Sequence, residues 1–175
     1  MQLLKKKRIQ ANVINIMVCT VLALASLNTV AGSGGKDVLS RDYMTTYKVK
    51  DQYDFVVDAI KEAIGDRGIK INGVNHIGKM LHRTAGAVGA TKKMFIKAKA
   101  YNFCSSTLSR ATMEADPHNV AFCPYIITVY ELAKEPGIVY VTYRKPLVVG
   151  NAASKKALKA IGDLLDGITK DAIGK

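Results

Sequence analysis

Two periodicities divide this chain. Tyr43, Thr45, Tyr47 and Val49 recur at every second position, the period of a half-buried strand. Phe55, Val56, Ala59, Ile60, Ala63 and Ile64 then recur at three- and four-residue spacings, which predicts a helix with one apolar stripe. Asp51 stands where it can cap that helix, and Gly65 and Gly68 offer stops. Ile69 to Ile71 is a short strand candidate. Asn75 to Arg83 reads as a short helix carrying Ile77, Met80 and Leu81. Residues 84–93 (TAGAVGATKK) are Gly-rich, basic and loop-like.

Phe95 to Phe103 reads as a further strand. Ser105 or Ser106 can cap a helix running through Ala115, ended by Asp116-Pro117. Phe122 to Glu131 carries the clearest alternation, with Tyr125, Ile127 and Val129 on one side and Ile126, Thr128 and Tyr130 on the other. Lys134 to Gly137 is a turn, and Ile138 to Arg144 follows as the antiparallel partner of a hairpin. Leu158, Ile161, Leu165, Ile168 and Ala172 stripe one face of a last helix. The order β-α-β-(α)-β-α-β-β-α predicts an α+β fold, a mostly antiparallel sheet with helices on one face.

The N-terminus obeys neither period. Lys5, Lys6, Lys7 and Arg8 precede an apolar run from Ala11 to about Ala25. Small-x-small sites end at Ala25 and Ala31, so residues 1–25 have the layout of a secretory signal peptide and the chain is expected to be exported, to the periplasm. The alternative is an uncleaved anchor over 11–31, which Asn12 and Asn15 weaken. Residues 26–41 are small, polar and Gly-rich and read as a flexible leader, with one domain over 42–175.

The 175 residues carry 26 Lys and Arg against 14 Asp and Glu, a net charge of +12. Four of the basic residues leave with the signal segment and no acidic one does, so the mature charge is +8. That excess favours an acidic partner, an anionic ligand or a membrane surface. The basic residues are spread along the chain instead of forming one block, and exported proteins seldom meet nucleic acid, so no nucleic-acid partner is expected. The tyrosines at 125, 130, 140 and 143 fall mainly on the predicted hairpin and read as sheet packing.

Export also removes Cys19 and leaves Cys104 and Cys123. An even count in an exported domain suggests a disulfide, which for a loop of this size contributes on the order of 3 kcal/mol. The competing reading is redox chemistry, with Cys104 placed before a helix N-terminus that lowers a thiol pKa. There is no CxxC and no CxxCH. Cys104, Met113, His118 and Cys123 form a weakly motivated metal set of soft sulfur and imidazole. His76 and Met80 share a helical i, i+4 spacing. Arg83, Thr84, Thr91, Lys92 and Lys93, with Gly86 and Gly89, could present cations and backbone amides to an anion, although the Walker order is missing.

Six segments together resemble a known family: Gly73–Thr84 (GVNHIGKMLHRT), Gly89–Phe95 (GATKKMF), Tyr101–Leu108 (YNFCSSTL), Met113–Pro117 (MEADP), Phe122–Glu131 (FCPYIITVYE) and Ile138–Arg144. They are similar to the domain-of-unknown-function family 302, in its exported proteobacterial branch, over roughly residues 42–170. The resemblance implies an α+β fold related to the TATA-binding-protein-like architecture and brings no activity with it. Cys104 matches the family's first cysteine. The family's second cysteine follows the proline, whereas here Cys123 precedes Pro124 and Tyr125 follows it.

No Ser-His-Asp order or convergent carboxylate pair appears, and Glu114 and Asp116 read as turn acids. The expectation is an exported, non-enzymatic binding or accessory module without a cofactor. Its partner would be a small, anionic molecule or an envelope protein, with self-association left open. A thiol-based redox or metal-handling protein using Cys104 and Cys123 is the alternative.

Overall fold

The computed structural model describes residues 38–174. The signal segment, Cys19, both cleavage positions and the leader through residue 37 lie outside the described residues. The chain forms β1 (Val38–Arg41), β2 (Met44–Val49), α1 (Tyr53–Gly65), β3 (Ile71–Asn75), α2 (Ile77–Thr84), β4 (Phe95–Phe103), α3 (Ser106–Ala115), β5 (Tyr125–Leu132), β6 (Val139–Arg144) and α4 (Ala152–Ala172). The strands make one sheet in the order β1-β2-β6-β5-β4-β3, and every neighbouring pair is antiparallel. The fold is α+β, as the element order predicts.

Alternation sorts the sheet into two faces. Tyr47, Val49, Tyr101, Phe103, Ile127, Val129, Val141 and Tyr143 point to one side and form the core with α1 and α4. On α1 the buried stripe is Tyr53, Val56, Val57, Ile60, Ala63 and Ile64. Phe55 is a correction: it is 61% exposed, because the centre of the stripe falls on 56, 60 and 64 and a residue one position off lies about a quarter-turn away. Asp51 does not cap α1. Gln52 occupies the cap position, and the Asp51 carboxylate instead accepts from the Gln52 N–H at 2.6 Å. On α4 the predicted Leu158, Ile161, Leu165 and Ile168 are all fully buried.

Polar contacts join the helices where apolar ones stop. Ser105 caps α3 by accepting from Leu108 N–H, and Asn151 caps α4 by accepting from Ser154 N–H at 2.8 Å. Buried Asn119 donates to Thr112 O at 3.0 Å and to Ser154 Oγ at 2.8 Å, which ties α3 to α4.

Helix α2 sits differently. None of its side chains is buried, and Met80 and Leu81 are exposed. It meets β4 through Gly78, where a Cβ would stand 2.9 Å from Ala98 N. Ala98 and Ala100 alternate with Tyr101 and Phe103, so α2 lies on the face opposite α1 and α4.

Two boundaries differ from the spacing-based reading. Val38–Arg41, read as leader, pairs with β2 as an exposed edge strand. It buries nothing, so no periodic signal marks it; its partners are backbone groups. The strand expected at 69–71 begins at Ile71 and runs to Asn75, with a bulge between Ile71 and Gly73 where backbone pairing to β4 overrides poor alternation.

Candidate functional site

The β2–β6 register sets Thr45 opposite Tyr143 and Tyr47 opposite Val141. Tyr47 and Tyr143 therefore stand diagonally on the same face, and both reach α4. Their hydroxyls donate to one oxygen, Asp166 Oδ1, at 2.6 and 2.8 Å. The other oxygen takes the Lys170 ammonium at 2.6 Å, one helical turn on. Both tyrosine rings are buried.

This cluster forms one wall of a cleft of about 530 Å³ between β1, β2, β6 and α4. Val38, Pro146, Leu147, Val148 and Leu158 supply its apolar surface. Gly162 keeps the helix backbone bare beneath Pro146, whose Cδ a Cβ would meet at 4.0 Å. Three acids line the cleft (Asp42, Asp163 and Asp166) against two amines. Those amines are already engaged: Lys145 Nζ donates to Ser40 Oγ at 2.7 Å and to Arg41 O at 2.9 Å, and Lys159 pairs with Asp163 at 2.7 Å.

The electrostatics keep the tyrosines protonated. Burial pushes the Tyr143 hydroxyl up to about 12, aided by the bond to Asp166 and that carboxylate's charge, against a bond from Thr45 that lowers it. Tyr47 is raised further by burial and then by Asp166. Burial acts on Asp166 in the opposite sense, toward the neutral acid. The Lys170 ammonium and the two hydroxyls outweigh it, and the carboxyl is held below the usual range. The arrangement is a fixed carboxylate with two permanent donors on it, beside an apolar wall.

The thiols make a second cluster. Cys104 and Cys123 are both half-buried free thiols. Ser109 Oγ lies 3.3 Å from Cys123 Sγ and 3.0 Å from the Tyr125 hydroxyl. The expected low thiol pKa at Cys104 is reversed: burial, then the neighbouring Cys123 thiol, pushes it up. The metal set does not assemble. His118 is exposed, and among the described residues no three His, Cys, Asp or Glu side chains gather around a common point.

The basic loop also brings nothing together. Arg83, Thr91, Lys92 and Lys93 are exposed, and the Thr84 hydroxyl donates to Met80 O at 2.9 Å. His76 and Met80 are exposed at the start of α2. The hairpin tyrosines divide: Tyr125 and Tyr143 enter the core, while Tyr130 and Tyr140 stack at 5.0 Å on the other face with Phe95 edge-on to Tyr130. Among the described residues no helix is long and apolar enough to cross a membrane.

Thr45, Tyr47, Tyr143 and Asp166 are the site residues that spacing alone misses. Their one sequence signal is Asp166, a carboxylate beside the buried stripe of α4 with Lys170 at i+4.

No curated protein matches the chain. A crystal structure of an uncharacterized conserved protein DUF302 from Bacillus stearothermophilus is similar at a TM-score of 0.63 and 15% identity, covering 75% of this chain and 99% of that one. At that identity the likeness speaks for the fold. Residues 45–172 match the domain of unknown function DUF302, a span holding β2 from its second residue, every later strand and all four helices, and the chain belongs to that family.

Proposed function

We propose that this chain is a non-enzymatic binding module that takes a small molecule in the cleft between the β1-β2-β6 edge and α4. The observation that carries this reading is the convergence of Tyr47 and Tyr143 on Asp166 in the cleft wall, a preorganised polar group beside an apolar surface. The net positive charge of the chain favours an anion, but a ligand feels its own surroundings first. Asp163 and Asp166 are paired with Lys159 and Lys170, and Asp42 stands against Lys145, so the acids and amines there balance and the cleft offers carboxylate oxygens without a net charge. The cleft suits an apolar body with a donor-bearing head.

Matched probes test this. Benzylamine and benzoate share a ring and differ in head charge. In amide-resolved NMR, benzylamine shifts the Tyr143, Leu147 and Gly162 signals, and Asp166→Asn weakens the effect. Shifts confined to residues 83–93, or caused by benzoate alone, would overturn the assignment.

The compartment belongs to the same proposal. The basic start, apolar run and small-residue sites of residues 1–31 support export to the periplasm with loss of the leader. The exported protein then begins at Ser26 or Gly32, which an intact mass reads directly. A mass that retains Met1 would overturn it.

A further inference from the structure

The two edges of the sheet differ. The β3 edge is interrupted by the bulge between Ile71 and Gly73, which makes it a poor template for another strand. The β1 edge keeps a regular register with β2 and carries neither bulge nor proline. Val38 and Leu39 on it are 49% and 47% exposed. Among the described residues β1 ends the sheet, and no strand lies on its outer side. β1 also precedes residues 45–172, so this edge lies outside the family match.

The hairpin register tells which backbone groups face out. Arg41 stands opposite Met44 across a two-residue turn, which makes them the hydrogen-bonded pair that closes it. Alternation then directs the backbone of Leu39 and Arg41 toward β2 and leaves the N–H and C=O groups of Val38 and Ser40 facing outward. An added antiparallel strand must set outward-facing residues against outward-facing residues. A second copy of β1 related by a two-fold axis therefore centres on Val38, Leu39 or Ser40, and charge chooses among them. Residues 36–42 read KDVLSRD. Centred on Leu39, Asp37 meets the partner's Arg41 and Lys36 meets the partner's Asp42. Centred on Val38, Arg41 meets the partner's Gly35, and centred on Ser40 it meets the partner's Leu39. Only the Leu39 register sets every charge against its opposite.

We propose that two copies of this chain pair antiparallel through β1, with Leu39 on the two-fold axis, and join their sheets into one. Val38 of each copy exchanges backbone hydrogen bonds with the partner's Ser40. The two Leu39 side chains meet on the face away from α1 and α4, because Leu39 stands opposite Thr46 whereas Val38 stands opposite the core residue Tyr47. On the core side Val38 and Ser40 line the cleft, so the partner's strand extends its wall.

Sedimentation equilibrium of the full chain reads the mass over a range of concentrations, and every variant retains residues 1–35. The expected result is a monomer–dimer equilibrium. Arg41→Asp and Asp37→Arg each replace two attractions by two repulsions, one on either side of the axis, and each raises the dissociation constant about tenfold. Mixing the two variants, or combining both changes in one chain, restores the dimer of the parent, a recovery that mere weakening of β1 would not produce. In a Cys19→Ser background, mild oxidation links Leu39→Cys chains, whose Cα atoms face each other across the axis at about 4.5 Å, within reach of a disulfide. Ser40→Cys chains do not link. A monomer at every concentration, or association that Arg41→Asp leaves unchanged, would overturn the pairing. No recovery in the mixture, or linking through Ser40→Cys instead, would overturn the register.

Discussion

Helix α4 buries Leu158, Ile161, Leu165 and Ile168 completely, whereas α2 buries no side chain and rests on β4 through the bare backbone of Gly78. The difference sets what each helix can carry. Asp166 rides on the firmly packed helix, and its position relative to Tyr47 and Tyr143 is set by the core beneath it. Arg83 and Thr84 end the lightly held helix, and Lys92 and Lys93 lie in the loop beyond it. A site needs side chains held close to one geometry by rigid elements, and only the α4 side provides that. Positive charge on the α2 side is plentiful but not aimed.

The comparison is broken most severely at Leu165. Its truncation in Leu165→Ala leaves a cavity between α4 and the sheet, and the expected cost is about 2–5 kcal/mol. Denaturant unfolding should show a lower midpoint with an unchanged slope. A loss well under 1 kcal/mol would mean that α4 is not firmly packed, and the contrast with α2 would fail.

Gly78→Ala tests the other helix. Alanine favours a helix over glycine by about 1 kcal/mol, but its Cβ would meet Ala98 N at 2.9 Å, and the atom in the way is backbone. Overpacking should win by about 1–3 kcal/mol. Hydrogen exchange should speed up along α2 and stay unchanged along α4. Equal acceleration in both helices would mean that they are coupled.

Smaller effects sharpen the α4 side. Tyr47→Phe and Tyr143→Phe each remove one bond to the Asp166 carboxylate, at about 1 kcal/mol apiece. Both bonds end on the same oxygen, so the double variant should differ from the sum. Strict additivity would mean that the two tyrosines act apart. Asp166 also gives an acid limb. Its folded pKa lies below the unfolded one, so its contribution is fully present above the ordinary carboxylate range and is lost as pH falls through the lowered value. In Asp166→Asn that part of the stability–pH curve should be flat.

The same contrast explains what could be read in advance. The α4 stripe and the β5 alternation are local patterns, and Leu158 to Ile168 and Tyr125 to Val129 are buried as their spacing predicts. The cleft is not local. Tyr47 and Tyr143 occupy inward strand positions indistinguishable from packing residues until β2 and β6 are paired across the length of the domain. Asp166 meets them only once α4 is laid on that sheet. The loop, by contrast, is conspicuous because its residues are contiguous, and contiguity says nothing about convergence. Phe55 fails for a related reason: the stripe tells which residues lie near a face, and only the packed sheet chooses its centre.

The smallest expected effect is the sharpest check on that lesson. Lys92→Glu with Lys93→Glu reverses two charges in an exposed loop that follows the lightly held helix. Exposed substitutions away from caps, core and networks change stability little. The unfolding midpoint should stay where it is, and so should the benzylamine-induced shifts at Tyr143 and Gly162. Among the described residues no hydrogen bond or ion pair joins residues 91–93 to the cleft lining, and screening weakens long-range effects at physiological salt. Loss of the cleft shifts in this variant would mean that ligand capture begins at the basic loop. The charge of the whole chain would then outrank the geometry of the cleft.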